Sequence, residues 1–164
     1  QQQLSKELDQ IGNSEMWQAG AAVRKLRALF GHLVLSRVYE SDAIGFEGAP
    51  FFNMVVGIET SRPVAELTSL LRELEVEQGR VRGADKFAPR TLDVDLLVYG
   101  NQVVDDGRLQ LPRGEILDYA FVLRPLAEVA GDEIHPSIGI SYRALWEGFD
   151  KNRQPLRPVA LDLD

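Results

Sequence analysis

The stretch from Arg80 to Tyr99, RVRGADKFAPRTLDVDLLVY, carries the densest reactive chemistry of the chain. Up to residue 90 it sets Arg80, Arg82, Lys86 and Arg90 against one acid, Asp85, a local charge of +3 in a protein of formal net charge −7. Arginine suits phosphate, because its planar fork gives paired, charge-assisted hydrogen bonds. An alternating run follows. Leu92, Val94, Leu96 and Val98 fall on one face and Asp93 and Asp95 on the other, with side-chain origins about 6.5–7 Å apart on an extended strand. Two carboxylates so close repel one another, and a divalent cation removes the conflict. Magnesium takes one or two carboxylates and completes its shell with water and substrate phosphate oxygens. Carboxylates for magnesium beside arginines for phosphate are the parts that phosphoryl-type transfer requires. Taken singly, Asp-x-Asp also describes the wet face of a half-exposed sheet, and a basic run a solvated loop; their adjacency is what favours chemistry. The chain has no Gly-x-x-x-x-Gly-Lys phosphate loop. It has no cysteine, which excludes disulfides, iron–sulfur clusters and a thiol nucleophile, and its two histidines, His32 and His135, lie far apart.

The elements that must hold this stretch alternate in type. Residues 15–30 read as a helix with Ala19, Val23, Leu26 and Phe30 on one face, Ser14 as N-cap and Gly31 as stop. Residues 33–40 and 51–60 read as strands. Pro63 opens a second helix with Val64, Leu67, Leu71 and Leu74 on its buried stripe, ended by Gly79. Residues 92–99 read as a third strand, and Gly100-Asn101 as a tight turn into a short strand at 102–104. Short helices are expected near 125–130 and 142–147, with Pro125 and Ser141 at their starts and Gly131 and Gly148 after their ends. The order α-β-β-α-β predicts an α+β fold: a ferredoxin-like sandwich with an antiparallel sheet, helices packed on one face and C-terminal additions. That fold needs one more strand before the first helix, near residues 4–11, yet Leu4, Leu8 and Ile11 are spaced as in a helix.

At 164 residues the chain predicts one domain over 1–164, with 1–11 as a lead segment and 150–164 as an irregular tail, where Pro155 and Pro158 oppose helix. The hydrophobic fraction of 45% and charged fraction of 26% exclude wholesale disorder and fibrous architecture. The acidic balance argues against broad binding to nucleic acid or anionic lipid. The apolar runs, such as Met54–Ile58, are far shorter than the ~18 residues of a membrane span. Without a basic-then-apolar leader, a cytoplasmic protein is expected, as a monomer with neither nucleic-acid nor membrane partners.

The segment KFAPRTLDVDLLVYG, residues 86–100, closely resembles the signature of the 6-hydroxymethyl-7,8-dihydropterin pyrophosphokinase family of folate biosynthesis. SRVYESDAIGFEGAPFFNMVVGIET (36–60), ELEVEQGRVRG (73–83) and AFVLRPLAEVAGDEIHP (120–136) resemble further parts of it, so that the likeness extends over residues 12–149. It implies transfer of the terminal pyrophosphoryl unit of ATP to the hydroxymethyl group of a dihydropterin, with release of AMP. It implies two magnesium ions on Asp93 and Asp95, with ATP as co-substrate, and Arg80 and Arg90 at the nucleotide phosphates or the transition state. Arg82 belongs to the same loop, and Glu75 and Gln78 are candidate nucleotide contacts. Asn53 matches an asparagine that bonds the pterin edge, Phe121 an aromatic that stacks on the ring, and Ser41 and Ile44 the loop around it. By their types alone, Phe121 reads more readily as an ordinary core residue and Asn53 as a partner for loop backbone.

Departures from the family pattern are specific. Ile11-Gly12-Asn13-Ser14 stands where the family has Leu-Gly-Ser-Asn, and Phe87 where it commonly has tryptophan. Arg113 replaces a histidine and Tyr119 an arginine, both of which help hold ATP phosphates. Arg113 retains positive charge at the nucleotide; Tyr119 does not. Besides an active pyrophosphokinase, two readings stay open: a divergent paralogue that binds pterin or nucleotide with weak or no transfer, and another metal-dependent transferase such as a nucleotidyltransferase.

Overall fold

A computed structural model describes residues 14–41, 51–81 and 92–160, the side chains of 14–18 and 79–81 excepted. It is a mixed fold of helices and small antiparallel ladders. The expectations for residues 1–13, including the missing strand at 4–11, lie outside the described residues. The described chain falls into two compact units, one holding residues 14–32 and 60–95, the other 33–59 and 96–160.

The first unit pairs two helices. Helix α1 (Ser14–Phe30) buries Ala22, Val23 and Leu26, and Gly31 stops it in the left-handed region at φ 78°, donating its amide to Arg27 O at 2.8 Å. Helix α2 (Val64–Val81) buries Leu67, Leu71 and Leu74 as the spacing predicts, and Gln78 continues that stripe. Gly79 does not end the helix, which runs one half-turn further. A mid-helix glycine costs only about 1 kcal/mol, which a packed stripe outweighs. Across the helix pair, Lys25 Nζ lies 3.3 Å from Glu77 Oε1, and the Arg62 guanidinium sits 5.7 Å from the centre of the Phe30 ring.

In the second unit the strand expected over 33–40 is two strands, β1 (Leu33–Leu35) and β2 (Val38–Ser41), and that over 51–60 is β3 (Phe51–Asn53) and β4 (Val56–Ile58). The pairing runs from Leu33 opposite Ile58 to Leu35 opposite Val56, then resumes with Tyr39 opposite Asn53. Three residues, 36–38, therefore face two, 54–55: a β-bulge, which bends the strand and increases its twist. Ser36 holds the bulge together. Its amide donates to Val55 O at 3.0 Å, and its hydroxyl accepts from Val55 N at 2.8 Å and donates to Arg37 O at 2.7 Å.

The expected strand over 92–99 forms no ladder among the described residues. Its burial does alternate, with Asp93 and Asp95 exposed and Leu92, Val94 and Leu96 partly covered. Its backbone finds other partners: Leu97 O accepts from Arg113 N at 3.0 Å, and Val94 N donates to a side chain described below. The short strand expected at 102–104 is β5 (Val104–Asp105), paired with β6 (Gln110–Leu111). Helix α3 (Glu115–Asp118) precedes α4 (Ala120–Ala130), which starts five residues before Pro125 rather than at it. The proline sits fully buried inside α4, where Leu123, Leu126 and Ala130 form a core with Ile116 and Tyr142. That packing overrides the lost backbone bond. Helix α5 (Tyr142–Glu147) has the expected cap, with Ser141 Oγ accepting from Ala144 N at 3.1 Å.

The segment 150–164 is not irregular throughout. Leu156–Val159 forms β7, which pairs with β2 and gives the order β3-β2-β7. As an edge strand, β7 tolerates Pro158, which stands opposite Tyr39. Among the described residues no helix is long and apolar enough to cross a membrane.

Candidate active site

Two constellations carry the expected residues, one in each unit. In the first unit, Asp93 and Asp95 are exposed on one face of their segment. Between them, the Val94 amide donates to Glu75 Oε1 at 2.6 Å. Glu75 lies on α2, one residue beyond buried Leu74, so the helix that forms the unit's core also pins the backbone between the two aspartates. Glu75 is thus a support for the acid pair as well as a candidate nucleotide contact. Gln78 sits within the buried stripe of α2. Arg80 lies in the last turn of α2, with its side chain outside the described residues; Arg82 and Arg90 lie outside them altogether.

Among the described residues no group of three or more acidic or histidine side chains could hold a metal by itself. Two exposed hard-oxygen donors on one face do fit magnesium of the kind that draws its remaining ligands from water and substrate phosphate.

In the second unit, the antiparallel register places Asn53 directly opposite Tyr39 on β2, so their side chains share a face of the sheet. Ser41, two residues on from Tyr39, points to that same face. Its hydroxyl is buried and has no hydrogen-bond partner among the described residues. Helix α4 covers this face. Arg124 lies 4.6 Å from the centre of the Tyr39 ring. The Tyr39 hydroxyl donates to Glu128 Oε2, and Arg37 N donates to Glu128 Oε1 at 3.0 Å. Burial, and then the Glu128 carboxylate, raise the Tyr39 phenol above its usual pKa.

Phe121 stands in the first turn of α4, on the stripe that continues through Arg124 and Glu128. Tyr119 stacks on it, with ring centres 5.0 Å apart and planes at 23°. The turn beneath both is braced from β7's side of the chain: Gln154 Oε1 accepts from Ala120 N at 2.9 Å, and Gln154 Nε2 donates to Asp118 O at 2.9 Å. The structure thus brings Ser41 and Asn53 to one sheet face and sets Phe121 on the helix covering it. Ile44 lies outside the described residues.

Arg113 does not present an uncompensated charge. Its Nε donates to Glu115 Oε2 at 2.9 Å, and a second guanidinium nitrogen bonds the same oxygen. That partner lowers the Glu115 carboxyl below its usual range.

Sequence reasoning missed Tyr39, Glu128 and Gln154. Glu128 had a weak signal, being the only acid in the apolar helix AFVLRPLAEVA, seven residues from Phe121. Tyr39 and Gln154 had none, because their partners lie 89 and 34 residues away.

Comparison with known proteins gives a consistent result. The family described as 7,8-dihydro-6-hydroxymethylpterin-pyrophosphokinase (HPPK) matches residues 10–131. The 2-amino-4-hydroxy-6-hydroxymethyldihydropteridine pyrophosphokinase of Haemophilus influenzae is 34% identical over 149 residues, 89% of this chain and 92% of that one. The enzyme of the same name from Pseudomonas aeruginosa is 41% identical over 101 residues, 61% of this chain and 62% of that one. A folic acid synthesis protein of Pneumocystis carinii is 35% identical over 128 residues, 77% of this chain, which spans only 17% of that longer protein. Matched by the family over residues 10–131 and 34% identical to a relative of which it covers 92%, the chain belongs to the 7,8-dihydro-6-hydroxymethylpterin-pyrophosphokinase family.

Proposed function

We propose that this chain transfers pyrophosphate from ATP to 6-hydroxymethyl-7,8-dihydropterin and releases AMP. The observation that carries the reading is the exposed Asp93–Asp95 pair with its intervening amide fixed by Glu75, in a chain of this family. In the reaction the hydroxymethyl oxygen bonds to the β-phosphorus of ATP. The bond from that phosphorus to the oxygen bridging to the α-phosphorus breaks, AMP takes the electron pair, and the hydroxyl proton passes to solvent. Asp93 and Asp95 are the residues that would hold magnesium, two ions in our reading. When bound, magnesium neutralises phosphate charge and acidifies the attacking hydroxyl.

The chain's own groups do the rest. Glu75 keeps the two carboxylates in register by holding Val94. Asn53 offers an amide, donor and acceptor together, to the pterin edge, and Ser41 a buried hydroxyl that has no hydrogen-bond partner among the described residues. Phe121 offers a ring face for stacking, its position fixed by Tyr119 and the Gln154 brace. Arg80, Arg82 and Arg90 would meet the triphosphate, and Arg113, tempered by Glu115, contributes little net charge there. We extend the proposal to a ferredoxin-like sandwich as the architecture, and to a cytoplasmic monomer without nucleic-acid partners.

The decisive test is AMP release with ATP, magnesium and 6-hydroxymethyl-7,8-dihydropterin. Stoichiometric AMP and pyrophosphorylated pterin are expected. Nucleotide joined to the acceptor with free pyrophosphate would make the chain a nucleotidyltransferase. One observation favours a second reading, a pterin-binding paralogue with weak transfer: Arg113 is paired with Glu115, and Tyr119 is stacked on Phe121 rather than offering charge. Tight pterin binding without AMP above background would establish it.

A further inference from the structure

Glu128 uses both carboxylate oxygens, one for the Tyr39 hydroxyl on β2 and one for the Arg37 amide at the bulge before it. Arg124, one turn earlier on α4, covers the Tyr39 ring at 4.6 Å and lies 5.8 Å from the centre of the Trp146 ring. The tyrosine is fully buried, gripped at its tip by an acid and on its face by a cation. Two registers then give this grip its meaning. On the helix, Phe121, Arg124 and Glu128 lie at i, i+3 and i+7, on one stripe. On the sheet, Tyr39 is the direct cross-strand partner of Asn53. A bond between Tyr39 and Glu128 therefore fixes the helix carrying Phe121 relative to the strand pair carrying Asn53.

We infer that the Tyr39–Glu128–Arg37 clamp is a positioning device for acceptor binding, setting the placement of Phe121 with respect to Asn53. The inference rests on the proposed function and deepens it: in it these residues act through Asn53 and Phe121 rather than on the substrate directly. A clamp of this kind works on pterin affinity and leaves the acid pair of the other unit alone. A merely structural bond would instead lower stability without distinguishing the two substrates.

The test uses Tyr39→Phe, which keeps the ring under Arg124 and removes the hydroxyl, together with Glu128→Gln, Glu128→Ala and the Tyr39→Phe/Glu128→Gln double variant. Dissociation constants for 6-hydroxymethyl-7,8-dihydropterin come from its fluorescence. KM for each substrate, kcat and the thermal midpoint complete the set. Tyr39→Phe and Glu128→Gln are expected to raise the pterin Kd and KM roughly 5–10-fold, with KM for ATP within about twofold and kcat within about threefold of wild type. Glu128→Ala should be worse than Glu128→Gln, which retains an acceptor. The double variant should be no worse than about the larger single effect, because both changes act on the same Tyr39–Glu128 bond. Unchanged pterin affinity with a lowered thermal midpoint would overturn the inference, as would an equal loss for both substrates. Should wild type bind pterin yet release no AMP, the proposed activity fails and the clamp is still judged by pterin Kd. If wild type binds no pterin, the functional reading and the clamp fall together.

Discussion

Removing the Glu75 carboxylate tests whether the aspartate pair depends on the helix behind it. The bond from Val94 N to Glu75 Oε1, at 2.6 Å, is charge-assisted and short. Hydrogen bonds to charged groups contribute about 1.5–3 kcal/mol, and Glu75 is only half-buried, which favours the lower part, about 1.5–2 kcal/mol. If Glu75→Ala takes all of that from the transition state, turnover falls about 10–30-fold at about 1.4 kcal/mol per tenfold. Glu75→Gln keeps an oxygen acceptor but loses the charge, so that roughly half the bond survives and the loss is about three- to fivefold. The assay is AMP release at saturating ATP and pterin across a magnesium titration. With the carboxylates less well held, the magnesium midpoint should rise in the order wild type, Gln, Ala, while KM for ATP changes little. A folded Glu75→Ala variant with the wild-type rate and midpoint would refute the argument. A loss confined to KM for ATP would show Glu75 to be a nucleotide contact and nothing more.

Asp95→Ala should cut turnover by orders of magnitude while changing pterin affinity less than about tenfold, or roughly 1.4 kcal/mol; a near-normal rate would contradict the metal assignment. His135 is buried, and burial lowers its imidazole pKa. Above the unfolded value of about 6.5 both states are neutral. As pH falls through 6.5 the unfolded chain takes a proton that the folded one resists, so stability declines until the pH passes the folded value. His135→Asn should flatten that slope in urea melts between pH 7.5 and 5. A Cβ at Gly57 would come within 2.8 Å of Val129 Cγ1 on α4; Gly57→Ala should cost about 1–3 kcal/mol by urea melt, and Val129→Ala should recover part of it.

The acid pair was readable because its signal is local. Alternation within six residues places Asp93 and Asp95 on one face whether or not a ladder forms, and the structure keeps the alternation although no ladder forms among the described residues. The two long helices were readable for the same reason, as periodic stripes ending near a left-handed glycine in α1. What failed were judgements that tertiary packing decides. Pro125 looked like a helix start, but the buried surface of Leu123 and Leu126 draws the helix across it. The bulge at Ser36 depends on Val55, nineteen residues away, and no property of LVLSRVYE announces it. Likewise Pro155 and Pro158 argued for a loose tail, yet an edge position asks nothing of the proline nitrogen and β7 forms around it. The clamp and the Gln154 brace are long-range pairings of common residue types, invisible until both partners are in place.

The edge strand β7 also bears on how the protein is made. Arg157 Nε donates to Glu40 Oε1 at 2.8 Å across 117 positions of sequence, and the same ladder seats Leu156 beside Ser41. At a synthesis rate of about 5–20 residues per second, β2 leaves the ribosome roughly 6–23 s before the strand that covers its open flank. During that interval Tyr39 and Ser41 lack one neighbour, and the corner before Phe121 lacks Gln154. The unit holding Ser41, Asn53 and Phe121 is therefore completed late, by closure of a long loop, whereas the helix pair of the other unit assembles from a shorter stretch of chain.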